Sequence, residues 1–183
     1  AKKKNIVENI TAPLYRHKEF VSEANELTLK MKGGFSVIFR AYNEGVAYRF
    51  ATAQKGETVV MSETAEVNFG KDNLAWLPYS TNEKNQMAMA FQNFYDNCRL
   101  SEAKDILAFL PVTVDCGDVK VTVMESDLES YPGMFISVDK EKKGLDGVFA
   151  PYPKKTDFYP WRVQEYVTET EDFIAKTTGP RNY

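Results

Sequence analysis

The chain has 183 residues, of which 43% are hydrophobic and 27% are charged, and its formal net charge at pH 7 is −3. These are the values of a globular protein long enough to bury a core, and they exclude a collagen-like or disordered chain. Basic residues are interleaved with acids rather than pooled, so the sequence lacks the basic surface that binding to a nucleic-acid backbone requires.

Three further features narrow the class of protein. Apolar runs such as residues 106–112 are far below the roughly 20 residues needed to cross a bilayer, so we expect no membrane span. The basic start of the chain is not followed by an apolar segment, so no signal peptide is visible. Cys98 and Cys116, with the single histidine His17, do not form a zinc or haem motif, and we expect free thiols.

The first third of the chain is predicted to be an antiparallel meander. Residues 1–24 are expected to be an irregular or extended lead-in. Apolar and polar residues then alternate with a period of two over residues 27–31, 35–39 and 46–50, which indicates strands. Glycine-containing turns separate these runs, and we expect Gly45 to close a three-residue loop in the left-handed conformation.

The middle of the chain has less regular patterns. Further strands are predicted at residues 57–62, 65–69 and 74–79, and Pro78 is expected to end the last of them or to place it at an edge. Residues 82–105 fit either helical or strand periodicity, and we favour extended structure. Residues 99–108 could form a helical turn or two.

Residues 112–133 contain the clearest hairpin of the sequence. Val112 and Val114 alternate with polar residues before the turn, as Val119, Val121 and Val123 do after it. Between them, the pair Gly117-Asp118 suits a type II′ turn, which needs a positive φ at its first central residue. Counting by two from Val119 places Glu125 on the valine face, at the last position of the strand, where its carboxylate would reach the rim of an apolar surface.

The last third again predicts short strands, at residues 134–138 and 145–150 and around Val163, Tyr166 and Val167. Prolines interrupt the aromatic stretch at residues 151–161, and residues 177–181 are expected to be loop-like. About ten short strands without a regular helical pattern favour an all-β fold, an antiparallel two-layer sandwich forming one domain over residues 1–183.

The usual catalytic signatures are missing, since the sequence has no glycine-rich phosphate loop, no GxSxG and no HExxH motif. Glu125, Asp127 and Glu129 form one acidic cluster placed at a strand end. Their ordinary interpretation is solvated loop acids; the functional one is a ligand for a hard cation such as calcium, which takes about 6 to 8 oxygen ligands. The spacing does not match an EF-hand, and nothing predicts the geometry of a paired-carboxylate glycosidase.

Aromatic residues are the other chemical signal. Trp76, Tyr79, Tyr159 and Trp161 could stack on sugar rings, as in a carbohydrate-binding module. With aromatics at 13% of the chain, packing in the core or at an edge is the favoured interpretation.

Several strings of the sequence resemble the N-terminal domain of glycoside hydrolase family 97. They are RAYNEGVAYRF (residues 40–50), LAWLPY (74–79), VMESDLESYPGMF (123–135) and TTGPRNY (177–183). The resemblance covers nearly the whole chain. It implies a sandwich of the galactose-mutarotase-like type that lacks its first strands, and it implies that this chain lacks the (β/α)8 catalytic barrel against which such a domain packs.

The resemblance also implies a function and one site residue. Members of the family are bacterial, largely periplasmic α-glucosidases and α-galactosidases, so a calcium-dependent enzyme acting on α-linked oligosaccharides is expected, with this chain alone inactive. A glutamate of the sandwich joins barrel glutamates around a calcium ion, and the matching position is Glu125. Asp127 and Glu129 do not inherit that role.

Two other classes of function stay open at this point: a stand-alone carbohydrate-binding module that uses Trp76 or Trp161, and a structural interaction domain. The exposed edges of an incomplete sandwich leave a homodimer open as well. The sequence does not distinguish an inverting from a retaining mechanism, nor glucoside from galactoside specificity, since the deciding residues would lie on the barrel.

Overall fold

A computed structural model describes residues 1–87, 92–161 and 164–182. Within these ranges the chain forms fifteen β-strands and one short 3-10 helix at Leu100–Glu102. In chain order the strands are β1 (Lys2–Thr11), β2 (Glu19–Lys30), β3 (Phe35–Ala41), β4 (Val46–Val60), β5 (Glu66–Asn68), β6 (Leu74–Leu77), β7 (Asp96–Arg99), β8 (Ala108–Phe109), β9 (Val112–Asp115), β10 (Lys120–Val123), β11 (Met134–Asp139), β12 (Gly144–Phe149), β13 (Pro153–Tyr159), β14 (Gln164–Thr170) and β15 (Ala175–Asn182). The predicted all-β, antiparallel fold is confirmed. No helix in the described ranges is long and apolar enough to cross a membrane.

The described residues fall into two compact units, one of residues 1–58 with 178–182 and one of residues 59–177. The first unit is built on a five-stranded sheet with the order β1-β2-β3-β4-β15, in which β1 to β4 pair antiparallel. The predicted meander is therefore confirmed. The assignment of residues 1–183 to a single domain stays a prediction.

The loop between β3 and β4 differs from its prediction. Ala41 lies opposite Val46, and the Tyr42 N–H donates to the Gly45 carbonyl at 2.8 Å, so the loop has four residues instead of three. A four-residue loop does not need a left-handed residue at its end. Gly45 accordingly does not have a positive φ, and the predicted conformation is wrong.

One face of this first sheet holds a buried carboxylate within an ion-pair cluster. The Glu26 side chain is 6% exposed and lies 3.1 Å from Lys4 Nζ and 2.9 Å from Arg40 Nε. Arg40 Nη1 also reaches Glu8 at 3.3 Å. Burial raises the pKa of Glu26, but the hydrogen bonds and charges of Arg40 and Lys4 outweigh burial and hold the pKa below its ordinary value. The carboxylate is thus neutralised by cations of its own sheet.

The second unit is a sandwich of two four-stranded antiparallel sheets, β10-β9-β6-β7 and β5-β12-β11-β8. Alternate residues of β6 and β9 point into the space between the sheets, as the period of two requires. The core consists of buried apolar side chains from both sheets and their connections: Ala75, Leu77, Tyr79, Leu100, Ala103, Ala108, Val112, Val114, Ile136 and Leu145. Pro78 follows the last residue of β6, where it was expected to end pairing.

Three segments were assigned incorrectly from the sequence. Strand β4 runs without a break to Val60, whereas residues 46–50 and 57–62 were predicted as separate strands. The proline-rich stretch forms β13, and the supposed terminal loop forms β15. In both cases a partner strand supplies backbone hydrogen bonds that local propensity does not reveal, because β13 pairs with β14 and β15 lies beside β4.

Smaller predictions have mixed outcomes. Cys98 and Cys116 are free thiols, as expected. Extended structure at β7 is confirmed, and the short 3-10 helix follows it. Residues 88–91 of the ambiguous segment, together with Val163 and Tyr183, lie outside the described residues.

Candidate metal-binding carboxylate

The candidate site begins at the turn of the β9–β10 hairpin. Gly117 has a φ of 91°, while Asp118 does not have a positive φ, which fits the predicted type II′ turn. The Cys116 N–H donates to the Val119 carbonyl at 2.9 Å. Asp115 accepts the Gly117 N–H at 3.0 Å and pairs with Lys120 at 2.9 Å. The turn is therefore fixed by its own backbone and by one local carboxylate.

Glu125 lies two residues beyond the end of β10, since pairing stops at Val123. The predicted position at the last residue of the strand is wrong for this reason. The predicted face is confirmed for Val121, Val123 and Glu125, which are all partly buried, whereas Met124 is exposed. It is wrong for Val119, which lies outside β10 and is 61% exposed. The chain keeps its strand alternation past the last ladder hydrogen bond.

The Glu125 carboxylate closes the loop that leads to β11. The Met134 N–H donates to both carboxylate oxygens, at 2.9 Å and 3.0 Å. Asp127 and Ser130 reverse the path of the loop in the left-handed region, with φ values of 60° and 54°. Gly133 leaves room for the carboxylate, since an added Cβ would lie 3.3 Å from Glu125 Oε1. The loop thus holds the side chain in one orientation.

The electrostatic surroundings of Glu125 are negative. Burial raises its pKa, the Met134 N–H acts in the opposite direction, and the nearby Glu63 carboxylate raises it further; the net result is a pKa above the ordinary value. The Tyr131 O–H donates to Glu63 Oε2 at 2.7 Å and holds that second carboxylate in place. Within residues 1–87, 92–161 and 164–182, no lysine or arginine comes within ion-pair distance of Glu125. As far as the described residues show, the site is a half-buried carboxylate that no lysine or arginine neutralises.

The other acids of the predicted cluster do not join Glu125. Asp127 and Glu129 are exposed on the loop. No group of three or more acidic, cysteine or histidine side chains in the described part of the chain is arranged to hold a metal ion.

The aromatic candidates are placed differently from one another. Tyr79 is buried, and its hydroxyl accepts the Lys104 N–H at 2.9 Å; burial raises its pKa to about 12. Trp76 is half-buried, with Lys120 Nζ 5.9 Å from the centre of its ring. Trp161 is 71% exposed, and its ring centre lies 5.6 Å from that of Tyr159. Tyr79 is therefore a core residue, and only Trp161 offers a broad open ring surface among these three.

Sequence reasoning missed Glu63 and Tyr131. Glu63 lies between two strands without any periodic signal, and only the folded chain brings it to the loop of Glu125. Tyr131 belongs to a Tyr-Pro-Gly turn, whose composition predicts a turn but gives no direction for the ring. The ring packs edge-on against Phe149, 6.1 Å between centres, which aims its hydroxyl at Glu63.

Comparison with known proteins gives one consistent result. A family model described as Glycosyl-hydrolase 97 N-terminal matches residues 1–178. The retaining alpha-galactosidase of Bacteroides thetaiotaomicron is 41% identical over 189 aligned residues, which cover 99% of this chain and 28% of that protein. Two solved structures of a glycoside hydrolase family 97 enzyme from Pseudoalteromonas sp. strain K8 share the fold, one with acarbose and one a variant with panose. Each has a TM-score of 0.67 and 19% identity, and the match covers 100% of this chain and 26% of that one. The chain thus spans about a quarter of the length of these relatives.

Proposed function

The chain belongs to glycoside hydrolase family 97, as an N-terminal domain, and from this membership we propose that it is the accessory β domain of a calcium-dependent α-glycosidase. The parent enzyme hydrolyses α-glucosides or α-galactosides. This domain packs against the (β/α)8 catalytic barrel of the same polypeptide and donates Glu125 to a calcium site shared with it. The parent enzyme is located in the periplasm, which fractionation of cells that produce it would test.

One observation supports the class of substrate. The relative that is 41% identical is named a retaining alpha-galactosidase, which favours galactosides and a retaining mechanism. The structures that share the fold hold acarbose or panose, but at 19% identity they support the architecture alone. Assays of the parent enzyme with the aryl α-galactoside and the aryl α-glucoside would decide between the two sugars.

The observation that carries the metal assignment is the carboxylate of Glu125, which is half-buried and is not neutralised by any lysine or arginine in the described ranges. A desolvated carboxylate favours a cation beside it, and carboxylate oxygen is the donor that calcium prefers. The Met134 N–H engages both oxygens from one side and leaves their remaining lone pairs available. The residues present therefore suit one part of the ligand set of a calcium ion.

Within that site the chain's own residues have separate roles. Glu125 is the ligand, the Met134 backbone orients its carboxylate, and Glu63 adds negative potential while Tyr131 holds it in position. Calcium, when bound, supplies Lewis acidity and orients water at the reacting bond. Sharing the ligands between two domains also fixes their relative position.

The 183-residue chain by itself is expected to be inactive and to bind calcium weakly, because one carboxylate supplies few of the roughly 6 to 8 oxygens that calcium takes. Calorimetry on this chain tests the second expectation, and micromolar affinity would contradict it. Hydrolysis of an aryl α-glycoside by purified chain would contradict the first.

The decisive experiment replaces Glu125→Gln in the parent enzyme and measures bound calcium and hydrolysis together. Both are expected to be lost, because an amide oxygen carries no charge to offset the desolvation of the ion. Asp127→Asn is the matched control: it removes a charge from the same loop, and asparagine tolerates the left-handed backbone at that residue. Full calcium content and activity in the Glu125 variant would refute the assignment.

A stand-alone carbohydrate-binding module is the second candidate, supported by the open ring of Trp161. It predicts binding on a glycan array that is lost in Trp161→Ala. The accessory-domain proposal predicts no such binding by this chain.

A further inference from the structure

The β13–β14 hairpin differs from the two four-stranded sheets of the second unit because it pairs with neither of them and is exposed on both faces. Six of the seven residues of β13 and six of the seven of β14 are exposed to solvent. The hairpin pairs only within itself, as a two-stranded sheet separate from the two sheets of the sandwich. We call the described residues 153–161 and 164–170 the arm.

The residues on either side of the arm pair with each other. The Tyr152 N–H donates to the Phe173 carbonyl at 2.7 Å, and the Glu171 N–H donates to the Tyr152 carbonyl at 2.9 Å. The rings of Tyr152 and Phe173 stack with their centres 5.3 Å apart. The two ends of the arm are therefore held side by side.

One face of the arm carries apolar side chains that are partly exposed to solvent. Phe158 and Val167 are 47% and 44% exposed. They lie diagonally on the same face, since Phe158 is opposite Glu165 and Thr156 is opposite Val167. The register gives this face an exposed aromatic ring next to an exposed branched side chain.

The other face is aromatic and internally ordered. The rings of Tyr159 and Tyr166 stack with their centres 3.9 Å apart, and the Tyr166 hydroxyl donates to Asp157 at 3.3 Å. Trp161 extends this face beyond the end of β13. The charges along the arm are mixed, with Lys155 paired to Glu169 at 3.4 Å, so the arm presents no field of a single sign to attract a charged partner.

A two-stranded hairpin that is exposed to solvent on both faces is only marginally stable in water. Exposed apolar side chains on both faces favour contact with another protein surface. We propose that the arm is an interdomain clamp: the polypeptide of the parent glycosidase outside residues 1–183 packs on both of its faces. This proposal rests on the proposed function, because it takes this chain to be one domain of a longer enzyme.

The occupant follows from the length of the relatives. In the 41% identical relative and in the solved structures the matching segment is 28% and 26% of the chain, so most of each polypeptide lies outside it. A covalently joined segment acts at a high effective concentration, which favours it over a second copy of the chain or a soluble sugar. The apolar, uncharged character of the Phe158 and Val167 pair suits a packed domain surface.

The test is hydroxyl-radical footprinting of the parent enzyme, read residue by residue by mass spectrometry. Phe158, Val167 and Trp161 are expected to be protected at every protein concentration and without sugar. Oxidation at the rate of free amino-acid side chains would overturn the proposal. Protection that appears only at high protein concentration would replace it with a homodimer, and protection that appears only with an α-galactoside or α-glucoside would replace it with a sugar platform.

Variants give a second measurement on the same enzyme. Val167→Ser is expected to lower the unfolding temperature of the parent and to increase backbone hydrogen exchange in the arm. Val119→Ser, at an exposed valine of the same unit outside the arm, is the control and is expected to change neither. Equal changes of unfolding temperature and hydrogen exchange in the two variants would overturn the clamp proposal. None of these readouts uses calcium or hydrolysis, so failure of the clamp is distinguishable from failure of the calcium assignment.

Discussion

Two buried or half-buried glutamates, one in each unit, are treated in opposite ways by the fold. Glu26 in the first sheet contacts Lys4 and Arg40, and its pKa is lowered despite burial. Among the described residues, Glu125 in the second unit receives a backbone N–H and no lysine or arginine, has Glu63 nearby, and its pKa is raised. A carboxylate neutralised by its own domain serves stability, and the contrast with Glu125 is the basis of the ligand proposal.

The largest expected effect on stability comes from removing the arginine that neutralises Glu26. Arg40→Met should lower the free energy of unfolding by about 3 kcal/mol, because it leaves a buried carboxylate with only the half-exposed Lys4 as a partner. Denaturant unfolding measures this value. Arg49→Met in the neighbouring strand is the control, since Arg49 forms no ion pair among the described residues. A loss no larger than that of the control would mean that the cluster does not stabilise the sheet.

The reverse change places a cation beside Glu125, which has no ion pair among the described residues. Glu63→Lys in the parent enzyme should place an ammonium near the Glu125 carboxylate and weaken calcium binding by at least about tenfold, or 1.4 kcal/mol. Glu63→Gln, which keeps an oxygen acceptor for Tyr131, should weaken it less. Titration calorimetry would measure both affinities. Unchanged binding in the lysine variant would show that Glu63 does not face the metal.

A smaller effect is expected from the hydroxyl that holds Glu63. Tyr131→Phe keeps the packing against Phe149 but removes the hydrogen bond to Glu63, which should cost about 1 kcal/mol of unfolding free energy. Calcium affinity of the parent enzyme should fall in parallel, and high calcium should restore activity. A variant that loses stability without any change in calcium affinity would restrict Tyr131 to packing.

The smallest effect is the pH dependence of the stability that the Glu26 ion pairs contribute. A carboxyl whose pKa is lowered in the folded state contributes stability above its unfolded pKa, near 4.5 for Glu26, and loses that contribution as the pH falls toward the folded value. The penalty of Arg40→Met should therefore shrink below about pH 4.5. Unfolding curves of the wild type and this variant at pH 7 and pH 4 measure the difference. A penalty independent of pH would assign it to lost packing of the arginine stem.

The sequence was informative where local geometry alone sets the structure. The period of two in residues 27–50 and 112–123 predicted the meander and the hairpin, and Gly117 predicted the turn, because these depend on neighbouring residues. It placed Glu125 on the correct face for the same reason, although pairing ends two residues earlier than the pattern suggests. The membership of the family was likewise readable from short strings.

Distant pairing had to be seen in the structure. The proline-interrupted stretch contains β13, and the segment that was predicted to be a terminal loop lies in β15. In both cases hydrogen bonding to a partner strand outweighs a weak local strand propensity. Glu63 and Tyr131 are 68 residues apart, and no periodicity links them.

By itself, then, the sequence determined the β character of this protein, its family and the candidate ligand Glu125, since alternation, turn chemistry and shared strings are carried by neighbouring residues. The tertiary structure decided which carboxylates are neutralised and which are not, and it showed that the arm is exposed on both faces. The physical reason is that charge compensation and burial depend on residues far apart in the chain, whose positions are fixed only when the sheets have formed.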